Sequence, residues 1–479
     1  MINTKLVWFR NDLRVRDNQA LHSACERAAQ MATSNAAGSG VVAVVAITPE
    51  QWVLQDESKS RVQFWLANVN ALKAALAGLN IPLKIIHTAN NETLPQQLLT
   101  LANRYKVSEL YFNNEVPEYE QTRDAAVQQL FLAQGMDCHR FESDVVLPIG
   151  SVLNQQGLPY KVFTPFSKAW RQRFTQSEQG PLPAPPPLMS NPCGDVESDI
   201  IPTDIGYSLC LGADWNPALW PAGADNAHEQ LQRFVGEHFP DYSQLRDIPS
   251  QPGTSSLSPY LTVGVLTTRQ CIAAVQAYSD DPEWFYSQWV TELIWREFYR
   301  HLLGLFPEMS RFQPFKPEIE AKISWQYDKA KFEAWCRGET GFDIVDAGMK
   351  QLLETGWMHN RVRMVVASFL TKLLRQDWRL GARFFMQHLI DGDFASNLGG
   401  WQWSASVGAD AAPYFRIFNP TRQTDRFDPK KRYIERWLSP HAESLSTDLL
   451  GEPTAPVLSR PQPMIDYALE RRRSIDEYQ

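Results

Sequence analysis

The chain is predicted to fold as an N-terminal α/β domain built on a doubly wound parallel sheet, followed by a C-terminal all-α domain. Three observations predict this. Up to about residue 150, short apolar runs alternate with segments of helical periodicity. Between about 175 and 225 the texture turns to proline, with Pro181, Pro183, Pro185, Pro186, Pro187 and Pro192. Beyond that, helical periodicity dominates. We therefore divide the chain into residues 1–150, a connector 151–225 and a helical domain 226–479. Strands are read at Lys5–Phe9, Val41–Ile47, Pro82–His87, Glu109–Asn113 and Asp144–Leu147, mostly rich in Val, Ile and Leu, as a sheet covered on both faces requires. A helix Asn18–Gln30 follows the first strand. Val62, Trp65, Leu66, Val69, Leu72, Leu76 and Leu79 recur at three- and four-residue steps, the stripe of an amphipathic helix. In the second half, helices are read at Ala227–Phe239, Thr268–Tyr278, Trp284–Gly304, Phe342–Thr355, His359–Arg375 and Gly381–Ile390. The first βα turn, Arg10-Asn11-Asp12-Leu13-Arg14, has no glycine, so the fingerprint that brings backbone against a dinucleotide pyrophosphate is missing.

Composition narrows the function classes. At about 150 residues per domain, 479 residues make two or three domains. With 44% hydrophobic and 21% charged residues, disordered and low-complexity classes are excluded. No apolar run approaches the roughly 18 residues of a membrane span, and the first ten residues hold no long apolar stretch, so a cytoplasmic protein is expected. The six cysteines lack CxxC or His-pair spacing, so neither a disulfide framework nor a metal site is expected. A net charge of -8 argues against a protein coated with nucleic acid but leaves room for a local basic face. Ten of the sixteen tryptophans lie at or after Trp284, an asymmetry that core packing alone does not require.

Five segments carry candidate chemistry. On Trp284–His301, Trp289, Glu292, Trp295, Arg296, Phe298 and Tyr299 mix aromatics and charges on neighbouring positions of one helix, fitting either a core helix with a salt bridge or a functional face. Gly356 to Arg375 holds four basic residues and no acidic one, fitting either a solvated basic face or a helix start suited to an anion. Residues 411–436 carry seven basic and three acidic side chains, interleaved with Tyr414, Phe415, Phe418, Phe427 and Tyr433, which suit packing or nucleic acid. Asp391-Gly392-Asp393 is a turn, or a carboxylate pair for a buried network with Arg363 as partner. Thr254, Ser255, Ser256 and Ser258 cluster hydroxyls suited to phosphate oxygens or to capping before Pro259.

Taken together, these segments resemble the photolyase and cryptochrome family, and within it the class I bacterial members that repair cyclobutane pyrimidine dimers. The resemblance runs over nearly the whole chain: Leu6 to Arg14, Phe163-Thr164-Pro165-Phe166, Leu293 to Arg300, Thr355 to Arg361, Asp391 to Asp393, Gly399-Gly400-Trp401-Gln402-Trp403, and Tyr414 to Pro420. It implies light-driven repair, in which reduced FAD gives an electron to a flipped-out dimer and takes it back. It implies that Tyr242, Thr254, Ser255, Ser256, Leu257, Ser258, Trp289, Asn360, Arg363, Asp391, Gly392, Asp393 and Asn397 line the FAD, with Asn397 facing its N5. Glu292 and Trp295 match residues that hydrogen-bond and stack on the dimer. Arg246, Arg296, Tyr299, Asn360, Arg361, Met364 and Trp403 match positions toward damaged DNA. Trp401, Trp378 and Trp325 match a three-tryptophan relay that photoreduces the flavin.

The resemblance also orders the alternatives. Members that repair (6-4) photoproducts carry histidines where this chain has Asn360 and Met364, so an acid/base pair is missing here. A signalling cryptochrome is disfavoured by Asn397 and by the 42 residues that remain after Trp437. For the antenna, a reduced folate is expected at Glu120 and Arg311, where family members place Glu and Lys; a deazaflavin or an empty pocket stays open. UV-damaged DNA is the expected partner, met by a monomer in the cytoplasm and on the nucleoid.

Overall fold

The computed structural model describes residues 3–34, 39–176, 180–202, 207–279, 281–439 and 460–478. Five parallel strands, β1 (Asn3–Phe9), β2 (Ser39–Ile47), β3 (Leu83–His87), β4 (Val107–Asn113) and β5 (Asp137–Phe141), lie in the order β3-β2-β1-β4-β5. Helices Gln19–Ser34, Lys59–Gly78, Leu94–Arg104 and Glu118–Ala133 connect them. The order reverses between β1 and β4, so the strand ends there open a crevice at the C-terminal edge of the sheet. β1, β2 and β4 are buried almost throughout, which is why their sequences read as continuous apolar runs.

The fifth strand is not where the sequence placed it. Asp144–Leu147 is irregular chain, and β5 is the polar Asp137-Cys138-His139-Arg140-Phe141, an edge strand of half-buried residues with no hydrophobic signal. The Val145-Val146-Leu147 run is buried, but its backbone serves the helical domain. The Val146 N–H donates to Glu297 Oε2 at 2.9 Å and the Leu147 N–H donates to it at 3.4 Å. Burial pushes the Glu297 carboxyl up to about 7 against the pull of Arg296 and these donors.

The second half is helical. Thr268–Tyr278 and Asp343–Thr355 match their predicted positions closely. The predicted His359–Arg375 helix is Asn360–Ser368 followed by a wider turn, Phe369–Leu373, and the Gly381–Ile390 prediction becomes Trp378–Met386. The connector contains a helix the sequence reading did not assign, Phe163–Thr175, which lies against the central helix Gln288–Leu305.

The glycine-free β1 loop is filled by its own side chains and docks on the helical domain. The Arg10 N–H donates to Asp12 Oδ1 at 2.7 Å, the Leu13 N–H donates to Val263 O at 3.3 Å, and Arg14 Nη1 donates to Gly264 O at 2.8 Å. A Cβ at Gly264 would sit 1.9 Å from Asn11 O, so this close approach and the φ of +70° both demand glycine. Asp17 adds Arg269 at 3.2 Å and the Thr267 hydroxyl at 2.6 Å. Among the described residues, no helix is long and apolar enough to cross a membrane, and no His, Cys, Asp and Glu side chains are grouped to hold a metal ion.

Candidate active site

One wall of the site starts at His359, whose Nδ1 accepts the Arg361 N–H at 3.1 Å and caps helix Asn360–Ser368. Its Nε2 is buried without a partner among the described residues, and burial pushes the ring down to about 3, so the imidazole is neutral. One turn on, Arg363 Nε donates to Met358 O at 2.7 Å. Its Nη2 reaches Asp391 Oδ2 at 2.8 Å and Oδ1 at 3.0 Å, the pairing that basic and acidic segments 28 residues apart suggested. The Asp391 side chain is 3% exposed.

The second carboxylate of the loop does different work. Asp393 caps helix Phe394–Ser404, accepting the Ser396 N–H at 2.8 Å, and pairs with Arg300 Nη2 at 2.6 Å. Burial opposes ionisation there, but Arg300 and Arg296 outweigh it and hold the Asp393 carboxyl below the usual carboxylate range. Its acceptor capacity is thus largely engaged. Gly392 is buried and offers backbone only. Asn397 is half-buried, with Nδ2 donating to Ala382 O at 2.9 Å.

Chemistry suited to an anion lies at 254–258. Thr254, Ser255, Ser256 and Ser258 are half-buried, and the only side-chain bond among them is a 3.5 Å contact between the Thr254 and Ser256 hydroxyls. Ser256 is left-handed at φ +51° and Leu257 right-handed, a pair of turns of the kind that can present successive N–H groups to an anion. Leu257 itself is 1% exposed and buried in the core, so it can contribute backbone but not side chain.

A second group forms a rim around helix Gln288–Leu305. The Arg246 guanidinium donates to Glu292, Gln288 Nε2 donates to the same carboxylate at 2.7 Å, and Arg361 pairs with Asp247 at 2.7 Å. Arg361 also lies 3.9 Å from the Met364 sulfur. Tyr242 sits under Arg246, 5.7 Å from ring centroid to guanidinium; burial and the Glu292 charge push its phenol well up. Trp289 is buried against Phe234 at 4.9 Å. Trp295 is half-buried with one face covered by Phe163, centroids 3.7 Å apart and planes within 5°. Tyr299 lies 5.6 Å from Trp295 and against Gly399, where a Cβ would fall 2.2 Å from its ring. Asn360 is exposed. Trp403 is half-buried below the exposed Arg416 at 5.8 Å.

One DNA-facing expectation is corrected. Arg296 turns away from the rim to the domain interface: Nη2 pairs with Asp144 Oδ1 at 2.6 Å and Nη1 donates to Asp144 O at 2.8 Å, leaving the side chain 13% exposed. Arg300 grips the other Asp144 oxygen at 2.6 Å. Burial resists, yet the two guanidiniums hold the Asp144 carboxyl down to about 2. Within the 411–436 stretch, Arg436 is buried over Trp437, whereas Arg416, Arg422, Arg426, Lys430, Lys431 and Arg432 are exposed.

Of the three tryptophans expected to form a relay, Trp401 and Trp378 are buried and Trp325 is partly exposed. A Cβ at Gly381 would fall 2.1 Å from the Trp401 ring, so Trp401 lies against helix Trp378–Met386. The Gln326 N–H donates to Arg375 O at 2.7 Å, which sets the Trp325 segment beside the chain entering that helix. Sequence reasoning missed Trp335, 6.1 Å from Trp401 in an edge-on contact, because nothing along the chain links the two. It also missed Asp144, Asp247 and the stacking role of Phe163, all supplied by tertiary contact.

Glu120 and Arg311 are not brought together. Arg311, 65% exposed, closes on Glu118, and residues two apart on a helix point to different sides. Glu120 faces a crevice at the strand ends lined also by Arg10, Gln51, Trp52, Arg61 and Glu115. Gln55 donates to its Oε1, Oε2 has no partner among the described residues, and burial with the Glu115 charge pushes it up to about 7.

Comparison with known proteins matches both halves. Residues 5–187 match the family model described as DNA photolyase, and residues 289–479 the one described as FAD binding domain of DNA photolyase. A protein of Vibrio cholerae named deoxyribodipyrimidine photo-lyase is 41% identical, with 99% of each chain covered. One of Salmonella typhimurium with the same name is 39% identical, covering 99% of this chain and 98% of its own. A class III photolyase from Agrobacterium tumefaciens superposes with a TM-score of 0.80 at 30% identity, covering 100% of this chain and 97% of its own. On these full-length matches, the chain belongs to the DNA photolyase family.

Proposed function

We propose that this chain performs light-dependent DNA repair, splitting cyclobutane pyrimidine dimers with a bound FAD. The observation that carries this is the end-to-end similarity, 39–41%, to proteins named for that activity. The donor set fits a flavin dinucleotide: hydroxyls and turned N–H groups at 254–258 for the pyrophosphate, a guanidinium fixed by Asp391, and an unpartnered buried His359 Nε2 beside it. When bound, reduced and excited by light, FAD supplies an electron that the opened dimer returns.

The chain's own residues then have these roles. Thr254, Ser255, Ser256 and Ser258 would bind phosphate oxygens; Tyr242, Trp289, Arg363, Asp391 and the loop to Asp393 would shape the cavity; Asn397 would offer its amide to the flavin ring. Trp295, backed by Phe163, stacks on the flipped dimer. Glu292 exchanges its bond with Arg246 for one to the dimer, while Arg246, Arg361, Asn360, Met364, Tyr299 and Trp403 meet the damaged strand. Trp401, Trp378 and Trp325 carry electrons inward. The division at residues 150 and 225, action as a monomer, and a place on the nucleoid in the bacterial cytoplasm belong to the same reading. A reduced folate is proposed as antenna beside Glu120, whose free Oε2 supports it; Arg311 contributes only by holding Glu118. Mass spectrometry of the released chromophores tests that assignment, and finding only FAD overturns it.

The test of function is repair of thymine dimers in a defined oligonucleotide. Repair under illumination with reduced flavin, and none in the dark, is expected. Dark repair, or none under light, overturns the proposal.

A further inference from the structure

We propose that Glu320 is a positioning residue for electron transfer, stabilising the positive hole while it is on Trp378. The inference rests on the relay proposed above and deepens it. Trp378 is fully buried, and its Nε1–H donates to Glu320 Oε1 at 2.9 Å. Arg379 holds that carboxylate at both oxygens, each at 2.9 Å, and its guanidinium carbon lies 4.6 Å from the Trp378 ring centroid. Asp377 adds a second carboxylate, 3.1 Å from Arg379. The ring therefore has an anion at its N–H edge and a cation over its face, opposed in sign. Trp325 differs: its Nε1 is buried with no partner among the described residues.

An indole that loses an electron becomes a cation whose N–H is strongly polarised, and a carboxylate in line with that N–H stabilises it through a charge-assisted hydrogen bond. In a low-dielectric interior the effect is larger than in water. The guanidinium over the ring acts the other way, since a cation attracted to a neutral ring is repelled by an oxidised one. Trp401, oxidised on illumination with the excited flavin as acceptor, takes one electron from Trp378. Trp378 is oxidised, Trp401 is restored, no bond breaks, and an added thiol finally re-reduces the chain. Glu320 lowers the energy of the state with the hole on Trp378, so the electron returns outward less often.

The test uses flavin-loaded protein with Trp325→Phe, which halts the hole at Trp378, and follows the tryptophan radical by transient absorption. Glu320→Gln should shorten its lifetime about threefold to tenfold, the loss of a charged hydrogen bond. Arg379→Gln should lengthen it. The Trp378 indole N–H resonance, recorded in the dark, should move upfield in Glu320→Gln, a readout independent of photochemistry. Equal shortening in both variants would mean that the pair only props up the fold, and overturns the proposal. Should Glu320→Gln not fold, Arg379→Gln decides alone, an unchanged or shorter lifetime overturning it. Wild-type photoreduction in Trp378→Phe would instead remove the relay itself.

Discussion

Arg363 grips Asp391 through a single nitrogen, Nη2, which lies 2.8 Å from Oδ2 and 3.0 Å from Oδ1. With Asp391 buried and Arg363 23% exposed, removing one partner leaves the other poorly solvated. Asp391→Ala should therefore destabilise the protein by about 3 kcal/mol and release flavin. Denaturant midpoints and the flavin-to-protein absorbance ratio after gel filtration check both; a variant that keeps its flavin and midpoint contradicts the assignment.

Phe163 covers one face of Trp295, the ring proposed to stack on the dimer. Trp295→Ala should weaken binding to a dimer-containing strand by about 1–3 kcal/mol with flavin content unchanged. Fluorescence anisotropy on damaged and intact strands measures it. Equal affinity in wild type and variant removes Trp295 from the dimer site.

Trp401, proposed as the inner relay ring, lies against Gly381 and is buried in the core. Trp401→Phe should abolish photoreduction with thiol, while chemically reduced enzyme still repairs. If photoreduction persists, Trp335, 6.1 Å away, becomes the candidate donor.

Lys372 carries a buried amine: Nζ donates to Ser406 Oγ at 2.8 Å and lies 3.5 Å from the Tyr478 ring centroid. Burial pushes the lysine down to about 6. The unfolded chain keeps its ordinary value near 10.5, so between the two it binds more protons than the folded protein. Stability should rise as pH climbs through that window. Lys372→Met should flatten the rise, seen as melting temperatures recorded from about pH 6.5 to 9.5. Parallel pH profiles for the two proteins would rule out a neutral buried lysine.

The elements most legible along the chain were those with local signals. β1 to β4 are apolar because both faces of the sheet are covered, and Lys59–Gly78 shows its buried stripe. β5 was missed because an edge strand needs only one buried side and a neighbour's hydrogen bonds, and Asp137–Phe141 is polar. Asp144–Leu147 reads like a strand because Val145, Val146 and Leu147 are buried, yet the Val146 and Leu147 N–H groups go to Glu297, about 150 residues further on. Periodicity reports burial, not the partner of the backbone.

The same limit governed the site. Residue types and spacing paired Arg363 with Asp391, a contact the structure shows, and singled out as candidates the hydroxyl cluster at 254–258 and the aromatic helix carrying Glu292 and Trp295. They could not say that Arg296 belongs to Asp144, that Arg311 meets Glu118 instead of Glu120, or that Glu320 accepts the Trp378 N–H. A charged side chain takes whichever opposite charge the fold delivers within a few ångströms, because desolvation makes an unpaired one costly. Sequence alone determined the domain types, the family and the inventory of functional groups; only the tertiary structure decided which of those groups face one another, since that choice is made by contacts between segments far apart in the chain.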